Sequence, residues 1–314
     1  MSSASFRSRR VVGVLLALLL APLAAAQNIA IGNATTTEGN DGSLAISFPM
    51  TVTPAAAVPI TLTVNTANGT ATAGSDYTAV SSGSFTIPAG TTNIDLNLTV
   101  LNDLIVETDE TFTVTISNAS SGTIVTTQAL GTIVDNDAAV LNLASVTQPE
   151  GNAGNSPMTF TATLSQPVQG VVTAEFATGD LMALVSDADY VATSGTISFP
   201  NGVTSQTITV QISGDSKVEN NEQFSLGLTN LVRPVGITAI NLGPDAVVNG
   251  TIQNDDVSTL TLSNATRTEG NSGSAPMNFV LTSSNASAIP LTATVNTANG
   301  TAMAPTDYVA LVNQ

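Results

Sequence analysis

The side chains most able to do chemistry in this sequence are carboxylates, and they are concentrated in one stretch. Between Asn102 and Phe112, four acidic residues fall within eight positions: Asp103, Glu107, Asp109 and Glu110. The stretch recurs 112 residues later, with Asp215, Glu219 and Glu222 at the positions of Asp103, Glu107 and Glu110. Carboxylates at this density repel one another unless solvent or a cation neutralises them. The pattern therefore predicts either a cation site or a solvated acidic rim.

The composition limits which cation such a loop can hold. Cysteine and histidine are both absent, so neither thiolate nor imidazole ligands are available. Zinc, copper and haem iron are typically held by those ligands, whereas Ca²⁺ takes about six to eight oxygen ligands in irregular geometry. Mg²⁺ requires stricter geometry and retains more water, so it is the second choice. Calcium is the cation that this pattern favours.

The first 26 residues have the pattern of a secretory signal peptide. Arg7, Arg9 and Arg10 precede an apolar run of about eleven residues, Val11 to Ala21, and Ala24 to Ala26 offer a small-residue cleavage site. The run is too short to span a bilayer comfortably, and no later segment is long and apolar enough for a transmembrane helix. We expect residues 1–26 to be removed on export, leaving a protein that is secreted or displayed at the cell surface.

The charge balance after residue 26 is strongly acidic. Three basic residues remain against 23 acidic ones, which gives a formal net charge of −20. A surface of this sign repels nucleic acid and anionic membrane surfaces and attracts cations. Because cysteine is absent, no disulfide stabilises the fold despite the predicted export.

The sequence contains three copies of a unit of about 110–120 residues. Asn65 to Ala71 reappears unchanged at Asn296 to Ala302, and Thr37 to Asn40 reappears at Thr268 to Asn271 with the same offset of 231. A looser middle copy contains Glu150-Gly151-Asn152 and Asp189-Tyr190. A period of this length is a whole domain rather than a solenoid unit. We expect domains at 28–137, 138–256 and 257–314, the third incomplete because it stops shortly after Asp307-Tyr308.

Each copy is predicted to consist of β-strands. Apolar residues alternate with small or polar ones, as in Leu44, Ile46, Phe48, Met50 and Val52, which is the pattern of a half-buried strand. Threonine and valine are abundant, and both favour strands. About seven short strands per copy, labelled A to G, would close into a two-sheet sandwich. The predicted fold class is all-β, with tandem seven-stranded β-sandwiches and a truncated third copy.

The acidic residues segregate to one end of this predicted sandwich. In an antiparallel sandwich the A–B, C–D and E–F loops lie at the same end as the exit from strand G. In the first copy these segments hold nine of the ten acidic residues, and the tenth, Asp95, lies on a strand. Random solvating charge would use both ends, so the segregation favours a composite cation site over an acidic rim.

A series of motifs also runs in order through the first copy. It consists of Thr37-Glu38-Gly39, Asn68 to Ala71, Gly74 to Tyr77, Phe85 to Gly90, Asn102 to Phe112 and Ile133 to Asp137. In this combination the sequence resembles the Calx-beta domain, which occurs in sodium–calcium exchangers, integrin β4 and many bacterial surface proteins. The resemblance covers nearly all of the first copy, most of the second and the first half of the third. It implies an immunoglobulin-like seven-stranded sandwich.

The resemblance also implies a set of calcium ligands. In calcium-binding members they come from the opening Glu, the Asp before Tyr, the acidic E–F loop and the closing Asp cluster. In the first copy these positions are Glu38, Asp76, Asp103, Glu107, Glu110, Asp135 and Asp137. In the second copy they are Glu150, Asp189, Asp215, Glu219, Glu222, Asp255 and Asp256. There Asn254 stands where the first copy has Asp135, and the third copy keeps only Glu269 and Asp307.

These features predict an exported calcium-binding repeat module for cell-surface adhesion or interaction, with calcium stiffening the loop end and the domain junctions. The expected partners are calcium ions and other surface proteins or glycans. Two alternatives stay open: metal-independent spacer repeats within a larger surface protein, and a carbohydrate-binding sandwich, for which the absence of tryptophan is unfavourable. We expect no enzymatic activity, because the usual catalytic residue constellations are missing.

Overall fold

The structure is a computed structural model that describes Met1 and residues 26–313. The predicted signal peptide lies almost entirely outside the described residues. The described part contains twenty strands and a short 3-10 helix at Val185–Asp187. Contacts divide the chain into two compact units. One holds the strands of the first copy, and the other holds Gly39–Asp41, Asp103–Asp109 and the chain from Asp135 onward.

The first copy forms two facing sheets from nine strands. They are β1 (Asn28–Ile31), β2 (Ala34–Thr37), β3 (Ser43–Thr53), β4 (Ile60–Asn68), β5 (Gly83–Ile87), β6 (Asn93–Leu101), β7 (Glu110–Ser117), β8 (Thr123–Thr126) and β9 (Gln128–Val134). One sheet has the order β6-β3-β1-β8 and the other β2-β9-β7-β4-β5. The all-β sandwich class is confirmed.

The seven predicted strand positions become nine strands because A and G each divide between the two sheets. Strand A breaks at Gly32-Asn33, where the Gly32 N–H donates to the Pro49 carbonyl at 2.8 Å. The Asn33 Oδ1 accepts from the Leu130 N–H at 2.8 Å. Strand G breaks at Thr127, between β8 and β9. The strand labels A to G therefore correspond to β1/β2, β3, β4, β5, β6, β7 and β8/β9.

The second copy repeats this arrangement. Its strands are β10 (Ala139–Leu143), β11 (Val146–Pro149), β12 (Gly154–Leu164), β13 (Val172–Asp180), β14 (Ser194–Phe199), β15 (Ser205–Gly214), β16 (Glu222–Val232), β17 (Ile240–Leu242) and β18 (Val247–Gln253). The sheet orders are β15-β12-β10-β17 and β11-β18-β16-β13-β14. Strands β11 and β18 run parallel, with Pro149 opposite Gln253, so the start and the exit of the copy lie side by side.

Each core is built around a pair of phenylalanines from strands B and F. Phe48 and Phe112 meet edge to face at 5.9 Å in the first copy, as do Phe160 and Phe224 at 5.9 Å in the second. A glycine on strand G leaves room for this pair. A Cβ at Gly250 would lie 2.5 Å from the Phe224 ring, so any larger residue would displace the ring.

The part of the third copy that is described forms a small two-stranded sheet. Its strands are β19 (Leu260–Leu262) and β20 (Leu281–Ser283), paired antiparallel. Phe279 and Leu281 remain 52% and 46% exposed. The described part of the third copy therefore has no closed core of the kind formed by the first two copies.

Candidate metal centre

The loop carboxylates of the second copy form two compact groups. Each group places one oxygen from each of three carboxylates within 4.8 Å of the others. The groups are Glu150, Asp255 and Asp256, and Asp189, Glu219 and Glu222. Asp215 lies close enough to raise the pKa of Glu150, as does Glu219. All seven carboxylates assigned to this copy from the resemblance thus lie at one end of the sandwich.

Parallel pairing of the first and last strand segments creates the first group. The Glu150 N–H donates to the Gln253 carbonyl at 3.1 Å, continuing the ladder one residue past β11. Gly151 follows with φ of +80°, a conformation that glycine adopts without strain. Its N–H donates to the Asp255 Oδ1 at 3.2 Å. The turn after β11 therefore brings Glu150 against the exit from strand G.

Asp256 has one oxygen in a hydrogen bond and one without. The Asn152 Nδ2 donates to its Oδ1 at 2.5 Å. Its Oδ2 is buried and has no hydrogen-bond partner among the described residues. Asp256 is only 6% exposed. A buried carboxylate oxygen without a donor is costly, and a bound cation would remove that cost.

Aromatic packing positions the second group. Tyr190 stacks on Phe224 with ring centroids 4.5 Å apart, which fixes the start of strand F beside the C–D loop. Asp189 precedes this tyrosine and accepts a hydrogen bond from the Leu184 N–H at 2.7 Å. Glu222 is the first residue of β16, two positions before the phenylalanine. The stacked rings therefore hold the carboxylates of Asp189 and Glu222 together.

A lysine belongs to this second group. The ammonium of Lys217 forms a salt bridge with Glu219, and its side chain is 39% exposed. The hydrogen bond to Glu219 raises the pKa of Lys217, so the ammonium stays charged at neutral pH. The Glu219 N–H donates to the Asn254 Oδ1 at 3.1 Å, which anchors the E–F loop to the residues that follow strand G. The second group therefore contains a cation from the chain itself.

Burial, and then neighbouring carboxylates, disfavour ionisation of two glutamates. Burial, followed by repulsion from Asp215 and Glu219, raises the pKa of Glu150 to about 7. Burial, followed by a hydrogen bond to Asp189, raises the pKa of Glu222 to about 7. These shifts mean that the metal-free end holds more negative charge than it can stabilise.

In the first copy, the segment that follows strand G is called here the exit segment. It contains Asp137, which is equivalent to Asp256 in the second copy. The Asn40 Nδ2 donates to the Asp137 Oδ1 at 2.7 Å, and the Asp137 Oδ2 is buried with no hydrogen-bond partner among the described residues. Asp137 is 4% exposed. Burial, then repulsion from Asp135 and Asp103, raises its pKa. An open cavity of about 580 Å³ borders this segment and is also lined by Glu107 and Gly236–Ala239.

The other assigned residues of the first copy lie on neighbouring segments. Asp76 and Glu110 place carboxylate oxygens within 4.8 Å of each other, and Asp76 accepts from the Thr72 N–H at 2.5 Å. Glu38 donates its N–H to the Val134 carbonyl at 3.1 Å, next to the start of the exit segment. Glu107 accepts a hydrogen bond from the Gln169 Nε2 at 3.3 Å.

Four residues that were not among the predicted ligands also shape these groups. Asn40 and Asn152 orient the exit aspartates, Asn254 accepts from the E–F loop, and Lys217 neutralises Glu219. The recurrence of Glu-Gly-Asn in Thr37–Asn40, Glu150–Asn152 and Thr268–Asn271 was the signal for the first two. The third-copy Asp307 accepts from the Met303 N–H at 2.8 Å, but it belongs to no group of three carboxylates among the described residues.

The residues present fit a hard cation. All candidate ligands are oxygens, and several carboxylates converge at distances that permit a shared ion. Glu150, Asp255 and Asp256 would hold an ion in the second copy, and Asp135 and Asp137 would contribute in the first. Such an ion would supply the positive charge that the buried Asp137 and Asp256 oxygens lack.

The fold and the site define an array of β-sandwich modules whose loop ends are lined with carboxylates. The family description "Calx-beta domain" matches residues 33–137, 146–244 and 253–314, and the chain belongs to this family. A search of curated proteins finds no match. No helix among the described residues is long and apolar enough to cross a membrane.

The solved structures that match this chain include several Calx domains. CBD12 from CALX1.2 is 18% identical, with a TM-score of 0.35 over 72% of this chain and 100% of that chain. The apo-form Calx CBD1 domain is 20% identical, with a TM-score of 0.34 over 38% of this chain and 100% of that chain. The calcium binding domain CBD12 of CALX1.1 is 18% identical, with a TM-score of 0.33 over 71% and 98%. The family assignment rests on the sequence match.

Proposed function

We propose that this protein is an exported calcium-binding array of β-sandwich modules that serves adhesion or interaction at a cell surface. Membership of the Calx-beta family, which includes calcium-binding domains, supports the choice of ion. The absence of cysteine and histidine supports it independently, because only oxygen ligands are available. The proposed role is binding rather than catalysis.

The observation that carries the proposal is the state of the two exit aspartates. Asp137 and Asp256 are equivalent in the two copies, and each is more than nine-tenths buried. In each, an asparagine side chain fixes Oδ1 while Oδ2 is buried with no hydrogen-bond partner in the described part of the chain. A solvated acidic rim would not bury and orient a carboxylate in this way twice. Both features suit a ligand of a bound cation.

Bound calcium would also stiffen the joints between modules. Asp137 is followed by a single residue before β10 begins at Ala139, and Asp256 by three residues before β19 begins at Leu260. An ion held by these aspartates would fix the exit of one module close to the entry of the next. Without the ion, mutual repulsion of the carboxylates would loosen the same segment.

Calcium titration of the mature chain, residues 27–314, tests the proposal directly. We expect isothermal titration calorimetry to show calcium binding, with weaker binding of magnesium. Asp256→Asn keeps the shape of the side chain but removes its charge, and we expect it to lower calcium affinity in the second copy at least tenfold. Asp95→Asn is the matched control, because it makes the same charge change on an exposed position of β6. Equal binding by all three proteins would contradict the proposal.

Export is the part of the proposal supported only by the N-terminal sequence. Arg7, Arg9 and Arg10, the apolar run and Ala24–Ala26 support cleavage after Ala26. We expect N-terminal sequencing of the protein recovered from outside the producing cell to begin at Gln27. An intact Met1 terminus on cytoplasmic protein would contradict it.

One observation favours metal-independent spacer modules as a second candidate. The Lys217 ammonium already neutralises part of the Asp189, Glu219 and Glu222 group. A module with an internal cation needs less external calcium to keep its loops folded. A mature chain that unfolds identically in calcium and in chelator would favour this candidate over the first.

A further inference from the structure

Both acidic E–F loops contain a valine that contacts the copy that follows. In the first E–F loop, the Val106 N–H donates to the Pro167 carbonyl and its own carbonyl accepts from the Gln169 N–H, each at 2.9 Å. These two bonds form a parallel β-bridge with Val168 in the B–C loop of the second copy. Val106 is 0% exposed and is part of the hydrophobic core of the second copy.

The second E–F loop makes the same contact with the third copy. The Val218 N–H donates to the Ala286 carbonyl, and the Ala288 N–H donates to the Val218 carbonyl, each at 2.9 Å. The bridge partner is Ser287, in the B–C loop of the third copy. Val218 is 9% exposed, although most of its neighbours in the third copy are exposed. An interaction present twice, with the same donors and acceptors, is a property of the repeat.

A shared local sequence presents the valine. Both loops read Asp-x-x-Val-Glu, at Asp103–Glu107 and Asp215–Glu219. In each, the aspartate Oδ1 accepts from the N–H two residues later, at 2.7 Å to Ile105 and 2.6 Å to Lys217. This Asx turn directs the following valine out of the loop. Val218 is the only apolar residue of the second motif, whereas Leu104 and Ile105 precede Val106 in the first.

The B–C loop that contacts the valine is anchored to the D–E loop of its own copy. The Val168 carbonyl accepts from the Gly202 N–H at 3.0 Å, in the D–E loop of the same copy. The Ala56 carbonyl accepts from the Gly90 N–H at 2.7 Å in the first copy, so this anchor recurs. The anchor leaves the flanking carbonyl and N–H facing outward, where they bond the valine. Because the bonds use backbone atoms, Val168 and Ser287 can serve equally as bridge partners.

We propose that the Asp-x-x-Val-Glu loop is a docking element whose partner is the B–C loop of the following copy. The pairing needs an outward carbonyl and N–H separated by one residue, and the B–C loop of the following copy presents both. The docking uses apolar burial and backbone hydrogen bonds, so it does not depend on calcium being bound. Gly236 supports the same contact from the F–G loop, since a Cβ there would lie 2.8 Å from the Thr108 methyl group.

Disulfide trapping in the full mature chain tests the docking at both places. The sequence has no cysteine, so introduced pairs are the only thiols. We expect Val106→Cys with Val168→Cys, and Val218→Cys with Ser287→Cys, to oxidise to intramolecular disulfides, seen as loss of free thiols. Leu104→Cys with Val168→Cys is the matched control, because Leu104 lies in the same loop but is 40% exposed. Trapping no faster than in the control would overturn the proposal.

Hydrogen exchange in excess chelator tests whether the valine holds the loops together. We expect Val106→Ser to speed exchange of the Gln169 amide at least tenfold, while Leu104→Ser leaves it unchanged. The Val191 amide, which donates to Gln211 within the second copy, is the internal reference. Equal acceleration at Gln169 and Val191 would mean that Val106 only supports the core, and would overturn the proposal. Because calcium is absent, failure of the calcium proposal does not affect this outcome.

Discussion

The loop ends of the first and second copies share their hydrogen-bond geometry but differ in charge. Asp109 accepts from the Asp135 N–H at 3.2 Å in the first copy, and Asn221 accepts from the Asn254 N–H at 3.1 Å in the second. Lys217 occupies the position of Ile105. The segment from Asp103 to Glu110 therefore has a formal charge of −4, whereas the equivalent segment of the second copy has −2.

The loop hydrogen bonds do not require the extra negative charge of the first copy. An asparagine oxygen accepts the hydrogen bond that an aspartate oxygen accepts, so the loop geometry requires only an acceptor. The additional carboxylates of the first copy, Asp109 and Asp135, repel their acidic neighbours. Their presence is explained if a cation binds there. We therefore expect the first copy to depend on calcium more strongly than the second.

Calcium removal should destabilise the first copy more than the second. A ligand at 100 times its dissociation constant stabilises the native state by about 2.7 kcal/mol per site, or about 100-fold in protection. The matched reporters are the amides of Ile116 and Leu228, which lie at equivalent positions of strand F and donate to Thr127 and Ala246. We expect chelator to speed hydrogen exchange about 100-fold at Ile116 and several-fold less at Leu228.

Faster exchange at Leu228 than at Ile116 on calcium removal would contradict the expected difference between the copies. A larger loss of protection at Leu228 would mean that the less charged copy is the more calcium-dependent one. Addition of magnesium at the same concentration is the control for ionic strength and for divalent charge alone. We expect magnesium to restore only part of the protection, because it does not readily accept irregular oxygen geometry.

Exchanging the residues at the Lys217 and Ile105 positions should raise the calcium affinity of the second copy and lower that of the first. Lys217→Ile removes the ammonium beside Glu219, and we expect calcium affinity in the second copy to rise about tenfold. Ile105→Lys should lower affinity in the first copy by a similar factor. The effect is limited because the lysine side chain is 39% exposed and solvent screens it. Titration calorimetry measures both changes.

Lys217→Gln provides the control for the charge swap, because it removes the charge but keeps a long polar side chain. Affinity in this variant should follow that of Lys217→Ile. If only the isoleucine variant gained affinity, packing rather than charge would separate the two loops.

Much of the fold was predictable because the strands alternate strictly. Residues such as Phe48, Met50 and Val52 are buried while the residues between them are exposed, so burial follows sequence parity. The division of strands A and G between two sheets was not predictable, because it depends on contacts such as that between Gly32 and Pro49. Such contacts join residues far apart in the sequence and leave no local signal.

The site was predictable in type but not in detail. Carboxylates stand out in a sequence, whereas the asparagines that orient them look like ordinary turn residues. Asn152 could be assigned a role only once Asp256 was seen to lie beside it. The same holds for Val106, whose partner loop begins about sixty residues later in the chain. Long-range pairing of this kind requires the folded structure.

The smallest predicted effect is the pH dependence of the stability of the metal-free second copy. Its direction follows from the pKa of one glutamate. The pKa of Glu150 is about 7 in the folded protein and 4.5 ordinarily, so the native state binds more protons than the unfolded state between these values. Metal-free stability therefore rises as pH falls from 8 to 6, the opposite of ordinary acid denaturation. Urea unfolding in chelator should show a gain of about 1 kcal/mol over this range.

Glu150→Gln, which cannot ionise, should remove much of that gain, with Glu175→Gln on β13 as the control. Calcium should reverse the trend, because the ion competes with protons for the same carboxylate. A metal-free stability that falls steadily from pH 8 to 6 would show that the Glu150 cluster tolerates its full charge without a cation.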